Sequence, residues 1–313
     1  MINVSIIVAT YNPDKLKLRA TLNQIIAQKG IDYEIIITDD GSSTKDFSWL
    51  QSYFEHHNFK NYCILENRIN MGTVANILCG IRASKGEYVF FTSPGDILFD
   101  DTVLSDFYSF VKKSDITICF GNAVYYDYSN TAPQLSRPYS APKRPYYYHK
   151  SPLAKLNFYT GDWINGACFF RERKTAIRFM ENISDICKYL EDNSSTAFAL
   201  AEDIVPQYFD RNVIWYEDSI GMSTSNDGKW SKILQKETTE VFKKLKSHFP
   251  SDSLVDIGYI RYTYANRTKR LLKLTLCHPL SSLTLKIMHL RPPKKIKITT
   301  QDLQRLSSFF NPK

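Results

Sequence analysis

The sequence lacks the features of an integral membrane or disulfide-rich protein. No uninterrupted apolar stretch reaches the about 20 residues that span a bilayer. The six cysteines are scattered and form no CxxC pair, and most lie in apolar surroundings, which favours buried free thiols in a reducing compartment. The first residues, Met1 to Asn3, lead directly into an apolar run, so we expect no signal peptide. These absences predict a cytoplasmic protein.

Acidic residues are missing from one long segment near the carboxyl end. From Ile257 to Gln301 there are ten basic residues and no acidic one. The other residues include 30 basic and 32 acidic side chains, which gives them a net charge of −2. The positive net charge of the chain, +8, therefore comes from this segment. A chain that is basic in one segment only is not expected to bind nucleic acid.

Two short apolar runs near the amino terminus each end in polar residues. Val4 to Ala9 precedes Thr10-Tyr11-Asn12, and Tyr33 to Thr38 precedes Asp39-Asp40-Gly41. Such runs are typical of strands buried in a parallel sheet, and the segment Pro13 to Lys29 between them has helical apolar spacing. The result is a βαβ unit without a glycine-rich phosphate loop. It predicts a nucleotide held by side chains, with or without a metal.

The same alternation continues along the chain, which predicts an α/β fold. Further helices are expected at 45–58, from 70 to shortly before Gly86, and at 100–112 and 230–248, and further strands at 62–65, 88–92 and 116–120. Between 125 and 152 the composition shifts to proline, tyrosine and basic residues, which predicts a long surface loop. This loop is either a plain connection or part of an acceptor site.

Three motifs, SIIVATYN, EIIITDDGSS and ASKGEYVFFTSPGD, occur in this order. Together they resemble the amino-terminal half of the family 2 glycosyltransferases of the GT-A fold. The resemblance covers residues 1–105, and 155–235 more loosely. It implies a Rossmann-type, mostly parallel sheet flanked by helices within a GT-A domain over 1–235. A basic helical appendage would then occupy 236–313.

The resemblance implies that the loops after the first two strands hold the nucleotide. Thr10, Tyr11 and Asn12 would flank the base, and Asp39 or Asp40 would bind the base or ribose. For these two aspartates the alternative is turn formation and helix capping around Gly41.

The segment after the fourth strand departs from the family pattern. Members usually carry Asp-x-Asp here, followed by another Asp, whereas this chain has Ser93 and Gly95 at the two positions and keeps only Asp96. We place Ser93 with the nucleotide-binding residues and Asp96 as the ligand of Mn²⁺ or Mg²⁺. One carboxylate and the donor diphosphate can suffice for such an ion. The alternative is that Pro94-Gly95-Asp96 forms only a turn.

The catalytic base is predicted from a second acidic motif. Glu202-Asp203, after a helix-like stretch, resembles the acidic pair that supplies the base in inverting members. We therefore expect Asp203 to deprotonate the acceptor hydroxyl, with Glu202 in support. A solvated acidic pair is the alternative.

Two further segments resemble parts of the family's site. Trp163, Asn165 and Gly166 lie where relatives place a loop near the acceptor or donor sugar, although Trp163 equally suits the core. The segment Gly221 to Ser225 resembles the loop that closes over the diphosphate.

The tail from Arg261 to Lys297 interleaves leucines with lysine and arginine. This composition suits an anionic membrane surface, and equally an appendage packed on the domain with a solvated basic face.

These motifs imply a transferase that moves a sugar from a UDP- or dTDP-linked donor to a carbohydrate or lipid-linked glycan, with inversion. Assembly of a surface polysaccharide at the inner face of the cell membrane is the implied setting. A nucleotidyltransferase would normally need a glycine- and lysine-rich loop that is missing here. A non-catalytic sugar- or membrane-binding subunit is the other alternative, favoured by Ser93 and Gly95.

Overall fold

The computed structural model describes residues 1–44, 46–127, 133–218 and 228–310. Its strands are β1 (Val4–Thr10), β2 (Tyr33–Asp39), β3 (Tyr62–Glu66), β4 (Tyr88–Thr92), β5 (Ile97–Leu98), β6 (Ile118–Asp127), β7 (Gln134–Leu135), β8 (Phe169–Glu172) and β9 (Gln207–Glu217). Its first seven helices are α1 (Lys15–Ile26), α2 (Ser48–His56), α3 (Thr73–Ala83), α4 (Val103–Ser114), α5 (Ser151–Tyr159), α6 (Arg173–Ile183) and α7 (Glu191–Ala201). The other helices are α8 (Gly228–His248), α9 (Ser253–Thr263), α10 (Arg267–Cys277), α11 (Pro279–Leu290) and α12 (Thr300–Phe310).

The strands form a single mixed sheet in the order β3-β2-β1-β4-β8-β6-β9-β5, and β7 pairs with β6. The pairs β3/β2, β2/β1 and β1/β4 are parallel, whereas β8 runs antiparallel between β4 and β6. The α/β fold predicted from the motifs is therefore confirmed. Because β1, β2 and β4 are parallel, their carboxyl ends meet at one edge of the sheet.

Helix α3 lies unusually close to the sheet. A Cβ atom at Gly80 would be 2.6 Å from Cγ2 of Ile7 and 3.0 Å from Cγ2 of Thr38. Only glycine allows this approach, which fixes the helix over the buried strands β1 and β2.

The segment predicted as a long surface loop is partly ordered structure. Residues 125–127 belong to β6, and a short 3₁₀ turn spans Pro145–Tyr147. The Tyr148 side chain is completely buried, and its hydroxyl donates to the carbonyl of Asp162 at 2.9 Å. Aromatic side chains at 125–148 therefore anchor the connection to the domain, which composition alone did not indicate.

Side chains on both sides of the predicted domain boundary, between residues 235 and 236, pack together. Val241, Phe242 and Leu245 of α8 belong to the same hydrophobic cluster as β1, β2 and β4. Helix α12 returns to the sheet, where Leu306 and Phe310 join a second cluster that includes Trp215 of β9. The proposed appendage thus contributes side chains to both clusters.

The described part of the chain holds no helix that is long and apolar enough to cross a membrane. All six cysteines are free, as predicted, and three of them, Cys119, Cys168 and Cys187, are buried.

The packing of α12 predicts a stability effect. Leu306 is fully buried, so Leu306→Ala should lower the free energy of unfolding by about 2–5 kcal/mol. Urea denaturation measures the change, and Gln304→Ala, at an exposed position of the same helix, is the control. Equal stability of the two variants would show that α12 is not held on the domain.

Candidate active site

The first two candidate loops are held together by one buried carboxylate. Asp39 is fully buried at the end of β2. Its carboxylate accepts the Thr10 hydroxyl at 3.1 Å and the Ser42 backbone N–H at 2.8 Å. The Asn12 backbone N–H in turn donates to the Ser42 hydroxyl at 2.7 Å. Asp39 therefore ties the β1 loop to the β2 loop.

Tyr11 is the exposed member of this group, with 54% of its surface accessible. It lies between Thr10 and Asn12, which are fixed by the contacts just described. Its ring is thus available to stack on a nucleotide base at the edge of the sheet.

Asp40 serves as a helix anchor in this structure. Its two carboxylate oxygens accept the backbone N–H groups of Met71 at 2.7 Å and Gly72 at 2.8 Å, immediately before α3. An anion at a helix N-terminus satisfies donors that have no partner within the helix. These contacts match the capping alternative for Asp40, whereas Asp39 stays a candidate for contact with the nucleotide.

Asp96 is turned into the protein. It is 8% exposed, and burial, followed by the charge of Glu217, raises its pKa to about 8. Hydrogen bonds from the backbone at Ser93 and Glu217 oppose this rise. Ser93 itself is exposed beside the turn.

A lysine–glutamate pair occupies the space beside this turn. Lys17 Nζ lies 2.7 Å and 2.8 Å from the two carboxylate oxygens of Glu217. A Cβ atom at Gly95 would be 2.6 Å from Glu217 Oε2, and the φ angle of Gly95 is +100°. Position 95 therefore has no room for a family aspartate while Glu217 holds this place.

These residues do not fit a divalent cation. Within the described ranges, no group of three or more His, Cys, Asp and Glu side chains gathers in a metal-binding arrangement. The Asp96 carboxyl is buried with a raised pKa, and Glu217 is already paired with the Lys17 ammonium. Hard cations require ionised oxygen ligands that point into the site.

The predicted base lies at the carboxyl end of α7. Asp203 accepts the Ser151 hydroxyl at 2.5 Å and lies 3.0 Å from Lys155 Nζ, and these two contacts lower its pKa. Its neighbour Glu202 pairs with Arg178 at 2.7 Å. A carboxylate with a lowered pKa and a fixed ammonium partner is a weak proton acceptor.

A different acidic pair begins α7. Glu191 and Asp192 occupy its first turn, and Asp192 Oδ1 accepts the Asn193 backbone N–H at 2.6 Å. A Cβ atom at Gly166 would be 2.7 Å from Asp192 Oδ2, so the carboxylate packs directly on the backbone there. Since α7 has eleven residues, Asp203 lies about 16 Å away along the helix.

The loop at Gly166 links this pair to the turn after β4. Gly166–Cys168 forms a 3₁₀ turn just before β8, whose residue Phe170 pairs with Phe90 of β4. Cys168 lies near enough to Asp96 that this carboxylate adds to the burial that raises the pKa of the thiol. Asp192, Gly166 and Asp96 therefore share one edge of the sheet.

The environment of the pair makes both carboxyls less acidic. Burial, followed by the charge of Asp192, raises the pKa of Glu191 to about 8, and burial raises the pKa of Asp192. Arg171 is buried nearby, and its charge lowers both carboxyl pKa values. The N-terminus of α7 also favours ionised carboxylates.

The comparisons with known proteins identify the family of the chain. The family described as Glycosyl transferase family 2 matches residues 5–177, which is more than half of the chain. The chain belongs to glycosyltransferase family 2. The match includes the β1, β2 and β4 loops and Gly166, and it ends before Glu191.

Two curated relatives align with part of this family 2 chain. Poly(ribitol-phosphate) β-N-acetylglucosaminyltransferase TarP of Staphylococcus aureus (strain N315) is 32% identical over 125 residues, 39% of this chain and 36% of TarP. Dolichyl-phosphate β-glucosyltransferase of Dictyostelium discoideum is 30% identical over 131 residues, 39% of this chain and 40% of the relative. The alignments thus span about two fifths of each relative.

Solved structures share the fold. S. aureus TarS 1-349 in complex with UDP-GlcNAc has a TM-score of 0.59 at 18% identity, covering 90% of this chain and 78% of that one. Mannosyltransferase PcManGT from Pyrobaculum calidifontis, in complex with GDP-Man and Mn²⁺, has a TM-score of 0.52 at 13% identity, covering 98% and 84%. At these identities the likeness establishes the fold alone.

The Glu191-Asp192 pair of this family 2 chain was missed at the sequence level, although a signal was present. Acidic residues favour the first turn of a helix and disfavour the last, because of the helix dipole. The residues after Leu190 carry this signal, whereas Glu202-Asp203 follows the helix. The closeness of Asp192 to Gly166 is a tertiary contact that no local pattern shows.

The residues predicted to form the acceptor loop lie in one segment that leads into the turn at Gly166. Asn165 accepts the Ala167 backbone N–H at 2.9 Å and donates to the Tyr125 hydroxyl at 3.1 Å, which fixes the turn at Gly166. The Trp163 ring lies 5.8 Å from that of Tyr262, a partly buried packing position. The predicted closing loop, 221–225, lies outside the described residues.

The raised pKa of Asp96 predicts a pH effect on stability. Between its ordinary value of 3.8 and about 8, the folded protein keeps a proton that the unfolded chain releases, so stability falls as pH rises. Asp96→Asn should make the free energy of unfolding less dependent on pH. Urea denaturation at about pH 5 and about pH 8 tests this. An equal change in the free energy of unfolding between the two pH values in the wild type and in Asp96→Asn would contradict it.

Proposed function

We propose that this chain transfers a sugar from a nucleotide-sugar to a carbohydrate or lipid-linked glycan acceptor. The observation that carries the proposal is the contact of Asp192 with Gly166, at the same edge as the nucleotide loops. A proton acceptor beside a donor site is what sugar transfer requires.

The donor is proposed to be UDP-linked, with a dTDP-linked sugar as the alternative. The exposed Tyr11 ring would stack on the base, while Thr10, Asn12 and Asp39 shape the loops around it. The complex of TarS with UDP-GlcNAc supports a UDP-sugar, and the complex of PcManGT with GDP-Man, which has the same fold, makes a GDP-sugar a necessary part of the donor screen. The name of TarP, a poly(ribitol-phosphate) β-N-acetylglucosaminyltransferase, supports a glycan polymer as the acceptor. The setting that we propose with it is surface-polysaccharide synthesis at the inner face of the membrane.

Asp192 is proposed as the base in a single inverting displacement. The acceptor hydroxyl gives its proton to the Asp192 carboxylate while its oxygen forms a bond to the anomeric carbon. The bond from that carbon to the nucleoside diphosphate breaks on the opposite face. Burial raises the pKa values of both Glu191 and Asp192, and the charge of Arg171 opposes the rise, so the pair as a unit can take up a proton near neutral pH.

A divalent metal remains a separate prediction for this chain. PcManGT was solved with Mn²⁺, whereas in this chain Asp96 is buried with a raised pKa, and Ser93 and Gly95 replace the two family aspartates. No step of the proposed mechanism uses a metal. The same disagreement favours, as a second candidate function, a non-catalytic subunit that binds a nucleotide-sugar or a membrane without turnover.

A donor screen tests the function. UDP-, dTDP- and GDP-sugars are added with Mn²⁺, with Mg²⁺ or with a chelator, and thermal stabilisation and hydrolysis are both measured. Stabilisation and turnover by one donor support the enzyme. Stabilisation without turnover supports the non-catalytic subunit, and no response to any donor contradicts both.

The two acidic pairs predict opposite mutational results. Asp192→Asn should reduce kcat by about 10²-fold or more, because no carboxylate then takes the proton from the hydroxyl group of the sugar acceptor. Asp203→Asn should leave kcat within about threefold, since Asp203 is occupied by Ser151 and Lys155. Donor affinity, measured by calorimetry, should be unchanged in both. A large loss of kcat in Asp203→Asn, with little loss in Asp192→Asn, would instead support Asp203 as the base, as the sequence motif predicted.

The contact at Gly166 predicts a positioning effect. Gly166→Ala places a methyl group 2.7 Å from Asp192 Oδ2 and should lower kcat/KM by about 10²-fold through displacement of the base. Gly228→Ala is the control, because a Cβ atom there meets no atom of the described residues within 4 Å. Circular dichroism confirms folding, and unchanged kinetics in Gly166→Ala would contradict the role of Asp192.

A further inference from the structure

Helices α10 and α11 present an apolar face to solvent. We call this face the leucine face; it consists of Leu271, Leu272, Leu276, Leu280, Leu283, Ile287 and Leu290. Their exposed fractions run from 52% at Leu271 to 83% at Leu290. Large exposed apolar side chains gathered on neighbouring helices mark an interaction surface.

The opposite side of the two helices is already used for packing. Met288 of α11 is buried with Leu156 and Ile257, and Leu274 and Leu285 pack against the same cluster. The helices are therefore fixed on the domain by one side, and they cannot turn the leucine face inward without losing this packing. The exposure of the leucine face is a consequence of how α10 and α11 are seated.

The charged side chains that α10 and α11 themselves carry are all basic, and Asp256 of α9 is paired with His278 between the two helices. No acidic residue occurs from Ile257 to Gln301. Lys273 and Arg270 are directed inward, to the Tyr264 hydroxyl and the Arg261 carbonyl. Exposed cations that remain beside the leucine face are Arg267, Lys269, Lys286 and Arg291.

The positive charge beside the leucine face favours one kind of binding partner. A second copy of the chain would bring the same cations to the leucine face, and like charges would repel across the contact. An anionic lipid surface offers both an apolar layer for leucines and phosphate groups for lysine and arginine. We propose that the leucine face docks this protein on the surface of an anionic lipid bilayer.

Helix α9, which leads into α10, packs against a loop of the candidate site. Tyr262, near the end of α9, lies 5.8 Å from Trp163 between ring centroids, and a Cβ atom at Gly161 would be 3.0 Å from Arg261. The loop at 161–163 leads to Gly166 and so to Asp192. Docking would therefore hold the acceptor side of the site close to the lipid surface.

Vesicle binding tests the proposal independently of any catalytic activity. Full-length protein is sedimented with phosphatidylcholine vesicles that contain or lack phosphatidylglycerol. We expect binding to the anionic vesicles only, weakened at least about tenfold when salt is raised from about 0.1 M to about 0.5 M. The double variant Leu283→Ser/Ile287→Ser should weaken binding about tenfold or more.

The matched control replaces two exposed apolar residues elsewhere, Ile69→Ser/Leu135→Ser, and should bind like the wild type. Thermal denaturation confirms that both variants fold. Equal binding of the two variants, or equal binding to neutral and anionic vesicles, would overturn the proposal. So would lipid-free self-association that Leu283→Ser/Ile287→Ser abolishes, because a second copy would then be the occupant.

Discussion

The contact between Asp192 and the backbone at Gly166 is the interaction on which the candidate site depends. It holds the first turn of α7 against the 3₁₀ turn before β8, and β8 pairs with β4 beside the nucleotide loops. A side chain at position 166 would separate these elements. One glycine thus allows a carboxyl group from the second half of the chain to reach the edge formed by the first half.

The acidic residues of this protein differ in proton affinity because their surroundings differ. Desolvation raises the pKa values of Asp96 and Glu191, whereas the pKa of the exposed Asp203 is lowered by Ser151 and Lys155. Residue type alone therefore does not assign a role. A carboxyl group whose pKa is raised toward neutrality is a candidate for proton transfer.

The basic carboxyl-terminal region has two physical roles. Helices α8, α9 and α12 bury apolar side chains with the sheet, so they stabilise the domain. Helices α10 and α11 use one side for packing and leave the other exposed. Leucine and basic residues occur in all of these helices, and the placement of each helix decides whether its apolar side chains are buried or exposed.

The sequence by itself determined the α/β alternation, the early strand and helix positions, and the clustering of Thr10, Tyr11, Asn12 and Asp39. These features follow from local periodicity and from the rule that parallel strands end at one edge. Tertiary structure decided which acidic pair reaches that edge, that Asp40 caps α3, and that Glu217 fills the space beside Gly95. Each of these depends on residues far apart in the chain, whose distance is set by packing and not by local pattern.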